Sequence, residues 1–326
     1  MPPRRSLIDE LRAGGYEAAL FTTYNAYLPF YEDVVLRRLL TAGVRHNVLL
    51  MDQVQYSAAL QSDPPQFAGR RYTLVPIRVP GAFHPKVIFL AGKQKGLIAI
   101  GSHNLTLAGF GFNRELTNLL RISGDSDPQA LVLARRAWDS VCGWLELARD
   151  QVPSEILDMA YRVKDFAPWL EKQLEGETTA SRILAAHPGG ESLWAQLRWL
   201  ASGSVRRVMI AGAFYDDQLT FVSRVQRELQ PDEVILAVEP ETVQMPAGAA
   251  QLRGVRVVRG DRLGFDESQP SAKSGGYLHA KGIFIEPRDG AAVFASGSAN
   301  PSRPAWLAEP DAGNVEMMFA LSLIHI

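Results

Sequence analysis

One cysteine, Cys142, is all that the 326 residues contain. No internal disulfide can form, and the expected setting is the reducing cytoplasm. Charge of one sign is also missing, since 34 Lys and Arg stand against 35 Asp and Glu for a formal net charge of −1. No bulk basic field announces a polyanion binder, so an anionic substrate has to be caught by a local site. Long apolar runs are absent too: a charged side chain interrupts every hydrophobic stretch before the about 18 residues that a membrane helix needs, which predicts no stable membrane insertion. The opening MPPRRSLIDELRAGG lacks the apolar core of a secretory signal, again pointing to the cytoplasm. What remains is ordinary globular chemistry, 47% hydrophobic and 21% charged, enough for a sizeable core over a length that suggests about two domains.

An internal repeat organises the chain. Ser6-Leu7-Ile8-Asp9-Glu10-Leu11-Arg12 returns as Ser192-Leu193-Trp194-Ala195-Gln196-Leu197-Arg198. Each copy is followed by an apolar run that reads as a buried strand, Ala18–Thr22 and Val208–Gly212, then by a helical stretch, Asp33–Leu40 and Leu219–Leu229. A second buried strand closes each unit, Asn47–Met51 and Glu233–Val238, and this β-α-β order implies parallel neighbours. A third pair of strands, Tyr72–Val79 and Val255–Arg259, leads to the most informative segments. These are His84-Pro85-Lys86 and His279-Ala280-Lys281, then Gly101-Ser102-His103-Asn104 and Gly297-Ser298-Ala299-Asn300, then Asn113-Arg114-Glu115 and Asn314-Val315-Glu316. Three matched elements in one order, twice, define a repeat whose loops absorb the drift in spacing. The expected boundaries are 1–126 and 187–326 for the two halves. Between them, 127–186 reads as a helical connector, apolar through Leu131, Ala134, Trp138, Val141 and Leu145, with Trp138, Trp144 and Trp169 as core packing.

A strand written H-x-K carries His and Lys on one face. The following turn offers Ser and Asn at a strand end, with Gly permitting the tight backbone. Two such sets supply two imidazoles, two ammonium groups and two amides, which suits a phosphodiester. Lys86, Lys281, Asn104 and Asn300 hold the non-bridging oxygens and stabilise charge on five-coordinate phosphorus. One neutral imidazole attacks phosphorus while the other, protonated, donates to the leaving oxygen and later deprotonates water. A carboxylate, Glu115 or Glu316, orients a ring through its second nitrogen. This chemistry calls for no metal and no other cofactor.

The duplicated HxK and GSxN resemble the phospholipase D superfamily of phosphodiesterases, over nearly the whole chain apart from the connector. The family's aspartate after the lysine is missing: Ala91 stands in its place in the first half and Glu286 in the second. The tyrosyl-DNA phosphodiesterase branch works with His, Lys and Asn alone. The resemblance implies an α/β fold of two similar halves, each a mixed β-sheet flanked by helices, related by a pseudo-twofold axis and sharing one site. It gives His84 the nucleophile role, His279 the acid role, and Glu115 and Glu316 the role of holding an imidazole. The expected function is a metal-independent nuclease acting on DNA or RNA through a phosphohistidine. The alternatives are a phospholipase or phosphatidyl transferase, and a non-catalytic relative that binds nucleic acid.

Other features carry plainer readings. Ser102 and Ser298 either donate to phosphate or cap the turn. Arg70, Arg71 and Arg78, and Arg253, Arg256, Arg259 and Arg262, either funnel a polyanion or form a solvated edge balanced by Asp261 and Asp266. Asp216-Asp217 reads as a helix cap, Cys142 as a small buried hydrophobe, and His46, His187 and His325 as incidental, while His103, beside Asn104, points away from the pocket if the local chain is extended. The chain closes on Leu321-Ser-Leu-Ile-His-Ile326 directly after the strand of Glu316, without a polar finish. A longer natural protein is therefore expected, with a fused or associated C-terminal module.

Overall fold

The computed structural model describes residues 6–123, 127–172, 181–187, 190–201, 203–260, 277–307 and 312–323. Arg262, Asp261, Asp266 and His325 lie outside them. The first sheet runs in the order β3-β2-β1-β4-β5-β6, with β1 Ala18–Thr23, β2 His46–Asp52, β3 Thr73–Ile77, β4 Val87–Gly92, β5 Lys95–Gly101 and β6 Thr117–Ile122. β1, β2 and β3 are parallel, β4 runs antiparallel to β1, and β5 antiparallel to β4. Every residue of β1 and β4 is buried, as expected of continuous apolar strands covered on both faces.

The second sheet repeats this arrangement. Its order is β10-β9-β8-β11-β12-β13-β7, from β7 Ser181–Ala186, β8 Val205–Ala211, β9 Glu233–Val238, β10 Val255–Arg259, β11 Gly282–Pro287, β12 Ala292–Gly297 and β13 Glu316–Leu323. Read strand for strand, β8 to β13 follow the order of β1 to β6, and β8 to β12 repeat the parallel and antiparallel pairs of β1 to β5. The extra edge strand β7 pairs antiparallel with β13. Sequence periodicity places 181–186 at the end of the helical connector. The run Ser-Arg-Ile-Leu-Ala-Ala is short, and the unpaired edge of β13 decides its conformation.

The chain divides into two compact units. One comprises Met1–Ile100, Asn104–Gly111 and Asn118–Thr178; the other comprises Gly101–His103, Phe112–Thr117 and Thr179–Ile326. In the first, one side of the sheet packs Phe21, Leu49 and Ile88 with Tyr31 and Tyr72. Its Pro128–Leu147 helix, started by the Asp127 carboxylate accepting from Gln129 N, buries Leu131, Ala134, Trp138, Val141 and Leu145. Trp138 and Trp169 both meet Phe89 of β4, at 5.3 and 5.8 Å between ring centroids. The tryptophans thus serve the core, as their spacing predicts. The second unit buries Trp194, Phe221 and Trp306 against its sheet, with Phe221 stacked on Trp306 at 4.9 Å.

The HxK tripeptides stand just before β4 and β11 rather than within them. Pro85 has no N–H to give a ladder, and its carbonyl accepts from Thr22 Oγ1 at 2.9 Å. In the second motif the His279 and Ala280 amides both donate to the carbonyl of Arg114. These bonds hold the motif backbones outside the regular sheet hydrogen bonding.

Candidate functional site

In the first unit His84 and Lys86 are buried, and Lys86 Nζ donates to the carbonyl of His84 at 2.7 Å. The lysine bends back over its own motif instead of simply standing beside the imidazole. β1 supplies the supports at its C-terminal end. Thr22 Oγ1 bonds Pro85 O and accepts from Val87 N, both at 2.9 Å. Thr23 Oγ1 accepts from Leu105 N at 3.1 Å, fixing the residue after Asn104. The Tyr24 ring lies 5.2 Å from that of His84. Asp52, ending β2, accepts Val54 and Gln55 amides on Oδ1 and the Phe83 amide on Oδ2. One carboxylate therefore starts the Gln53–Ser62 helix and anchors the residue before His84. Among the described residues, Asn104 holds a buried Oδ1 without a hydrogen-bond partner; an unsatisfied buried acceptor costs about 1–3 kcal/mol and marks a place where a ligand donor is favoured. Which end of such an amide faces a ligand is interchangeable by a flip.

The second unit contains the densest cluster. His279 Nδ1 donates to Glu115, with Oε1 at 2.8 Å and Oε2 at 3.0 Å, which fixes the orientation of the ring. Burial by itself raises the Glu115 carboxyl, but its bond and charge contact with His279, the Lys281 ammonium and the Ser102 hydroxyl together hold it down at about 2. Lys281 is fully buried and donates to the His279 carbonyl at 2.7 Å. Burial lowers its ammonium to about 7, against the opposing pull of Glu115 and Glu316. Phe214, at a ring distance of 6.3 Å, and Tyr277, at 5.3 Å, flank the His279 ring edge-to-face. Asn300, like Asn104, has a buried Oδ1 without a partner.

Each GSxN serine holds a glutamate. Ser102 Oγ donates to Glu115 Oε2 at 2.5 Å and accepts the Leu116 amide at 3.0 Å. Ser298 Oγ donates to Glu316 Oε2 and accepts the Met317 amide at 3.0 Å. Asn113 and Asn314 Nδ2 donate to the other oxygens of the same carboxylates. The repeat is thus preserved atom for atom: each GSxN serine fixes the glutamate of the next motif. Gly297 is required at the head of one turn, because a Cβ there would sit 2.3 Å from Met317 O.

Several supports were not singled out by sequence. Glu239, just after β9, accepts the Leu278 amide at 2.7 Å and pairs with the Arg114 guanidinium. It does for the residue before His279 what Asp52 does for the residue before His84. The signal was an acidic side chain at the end of the second strand in both halves, together with the polar Thr22-Thr23 closing an otherwise apolar strand. Asp216 takes its expected capping role, accepting from Thr220 N at 2.6 Å. Arg256 and Arg259 pair with Glu233 and Glu241, which favours the solvated edge over a polyanion funnel. Burial raises the half-buried Cys142 thiol to about 11. His103 is buried against Thr117 Oγ1, and His46 Nε2 lies 2.6 Å from the Met159 carbonyl. Among the described residues, no group of three His, Cys, Asp or Glu side chains is placed to hold a metal ion. None of their helices is long and apolar enough to cross a membrane.

Two mixed sheets of six and seven strands, flanked by helices, repeat one topology, and solved structures share this fold. The chain is similar to yeast tyrosyl-DNA phosphodiesterase, with a TM-score of 0.61 at 11% identity over 98% of this chain and 86% of that one. It is also similar to phosphatidylserine synthase from Haemophilus influenzae Rd KW20, with a TM-score of 0.51 at 17% identity over 98% and 80%. Identities this low carry the fold and not the activity. No family model matches the chain, and no curated protein does.

Proposed function

We propose that this chain is a cytoplasmic, metal-independent phosphodiesterase that cleaves nucleic acid through a phosphohistidine. The observation that carries this reading is the buried duplicate set: HxK with its lysine folded onto the motif carbonyl, an asparagine with an unpaired buried Oδ1, and a serine-held glutamate, each present twice. A neutral imidazole nitrogen of His84 attacks phosphorus; the P–N bond forms as the P–O bond to the leaving group breaks. Nε2 of protonated His279 gives its proton to the departing oxygen, because Nδ1 is engaged by Glu115. Water then attacks phosphorus, His279 takes its proton, and the P–N bond breaks to restore His84. Lys86, Lys281, Asn104 and Asn300 stabilise the charge on the non-bridging oxygens. Likeness to tyrosyl-DNA phosphodiesterase supports a nucleic-acid substrate, and likeness to phosphatidylserine synthase is the ground for the second reading, a phosphatidyl transferase.

The test incubates the full chain in EDTA with labelled single- and double-stranded DNA, RNA and phosphatidylcholine, beside His84→Ala and Lys281→Ala. Nucleic-acid cleavage that survives chelation and falls at least about a hundredfold in both variants is the expected result. Samples quenched in alkaline detergent carry the retained DNA strand joined through its phosphate to His84 by a base-stable, acid-labile P–N bond. Turnover of lipid alone supports the transferase, and loss of cleavage on chelation defeats the mechanism.

A further inference from the structure

A cleft in the first unit deepens the nuclease reading and rests on it. Its volume is about 280 Å³, with Asn25 and Tyr27 on one side, Gln55, Ala58 and Ser62 on the other, and Thr106 at the end. Gln55 Nε2 donates to the Tyr24 hydroxyl at 3.1 Å, and the Tyr24 ring lies against His84. One wall is therefore a single ring removed from the motif imidazole. The other is tied to the GSxN segment: Tyr27 N donates to Leu105 O at 3.0 Å and Leu105 N to Asn25 O at 3.2 Å, beside Asn104. The cleft is held by both the His84 and the Asn104 segments.

Its chemistry is unlike that of the phosphate-handling residues. Among the described residues no Lys or Arg lines it, and Asp63 adds a negative charge, so a phosphate gains nothing there. Amides and hydroxyls from Asn25, Gln55, Ser62 and Thr106 offer donors and acceptors to a neutral partner. Gln55, Ala58, Ala59 and Ser62 recur at the spacing of one helical face, and the two alanines leave room opposite Tyr27, which is 47% exposed. At about 280 Å³ the space lies below the ~300–1,000 Å³ of sites that enclose a drug-sized ligand. Its amide, hydroxyl and carboxylate lining does not suit acyl chains. A flat, neutral group with hydrogen-bonding edges, joined to a phosphodiester, meets all of these conditions.

We propose that the cleft is a base subsite for single-stranded nucleic acid, in which one nucleobase next to the scissile phosphate stacks on Tyr27 and presents its edge to Gln55 and Asn25. A base inside a duplex is already paired and stacked, so the subsite selects unpaired strands.

The test measures anisotropy of an end-labelled DNA oligonucleotide with the full chain carrying His84→Asn, at one fixed salt concentration. Tyr27→Ala and Ala58→Phe, the second filling the cleft without removing a contact, are each expected to weaken binding about tenfold. Tyr27→Phe keeps the ring and stays within about twofold. With the base removed at each position in turn, binding falls at one position, and there the two cleft variants lose nothing further. Without the His84 substitution, KM for the intact oligonucleotide rises by the same factor in Tyr27→Ala. Equal losses by Tyr27→Ala on intact and fully abasic strands overturn the subsite, as does a variant effect seen only with phosphatidylcholine vesicles. Base-dependent binding without cleavage by the wild type would sink the catalytic reading and leave the subsite standing. Cleavage that depends on His84 but ignores Tyr27→Ala and Ala58→Phe would do the reverse.

Discussion

Glu115 is where a single side chain has most to decide. Its pKa is lowered by the hydrogen bond and charge of His279, and the interaction is mutual, so it favours the imidazolium that the proposed mechanism needs as its acid. Glu115→Gln keeps the shape and removes the charge. The expected result is a kcat loss of about 10²–10⁴, with the alkaline limb of the pH–rate profile moved to lower pH; an unmoved limb would assign Glu115 to structure alone. Lys281 makes a prediction of opposite kind. Its folded value of about 7 lies below the ordinary 10.5, so the unfolded chain binds more protons between these pH values. Stability from this group therefore rises with pH across that window and is lowest below about 7. Lys281→Met should lose activity yet melt above the wild type near pH 6, with the gap shrinking towards pH 10. A pH-independent gap in the thermal melts would count against a buried, charge-stressed ammonium.

At the scale of elements, the ends of strands hold the motif segments. Asp52 terminates β2, starts the Gln53–Ser62 helix and holds the Phe83 amide. Asp52→Ala is expected to cost about 1–2 kcal/mol in denaturant unfolding and to lower kcat, while Asp52→Asn, which keeps an acceptor, recovers much of both. Trp144 meets Phe83 edge-to-face at 5.6 Å, so truncating it to alanine removes about 3–5 kcal/mol and loosens the same segment. These supports explain what could be read from sequence and what could not. The first three strands of each half were legible because buried strands leave continuous apolar runs, and the candidate site residues were legible as a set because HxK and GSxN recur in order. The conformation of the HxK tripeptides was not, since it depends on Thr22 and on the Arg114 carbonyl, both remote in sequence. Nor was β7: six residues at an edge take their state from the neighbour they pair with, and no local period records that.

At the scale of the molecule, the sequence repeat and the compact units do not share their borders. Gly101–His103 and Phe112–Thr117 come from the first repeat but belong to the second unit. Ser102 N bonds Leu116 O, Arg114 N bonds Tyr277 O, and the Arg114 carbonyl accepts from His279 and Ala280. If these bonds open with the unit that contains them, native-state hydrogen exchange in rising denaturant will show it. The amides of Ser102, Arg114 and Leu116 should converge on the opening free energy of Ser298 and Met317 in the second unit. They should not follow Phe21 and Leu49 in the core strands of the first. A fragment of 187–326 alone lacks Ser102, Arg114, Glu115 and β7, so its 278–281 amides should exchange without protection even where β8 and β9 stay protected. Protection of 278–281 in that fragment, or convergence of Ser102 and Arg114 with the first sheet, would show that the His279 cluster stands without its borrowed segments.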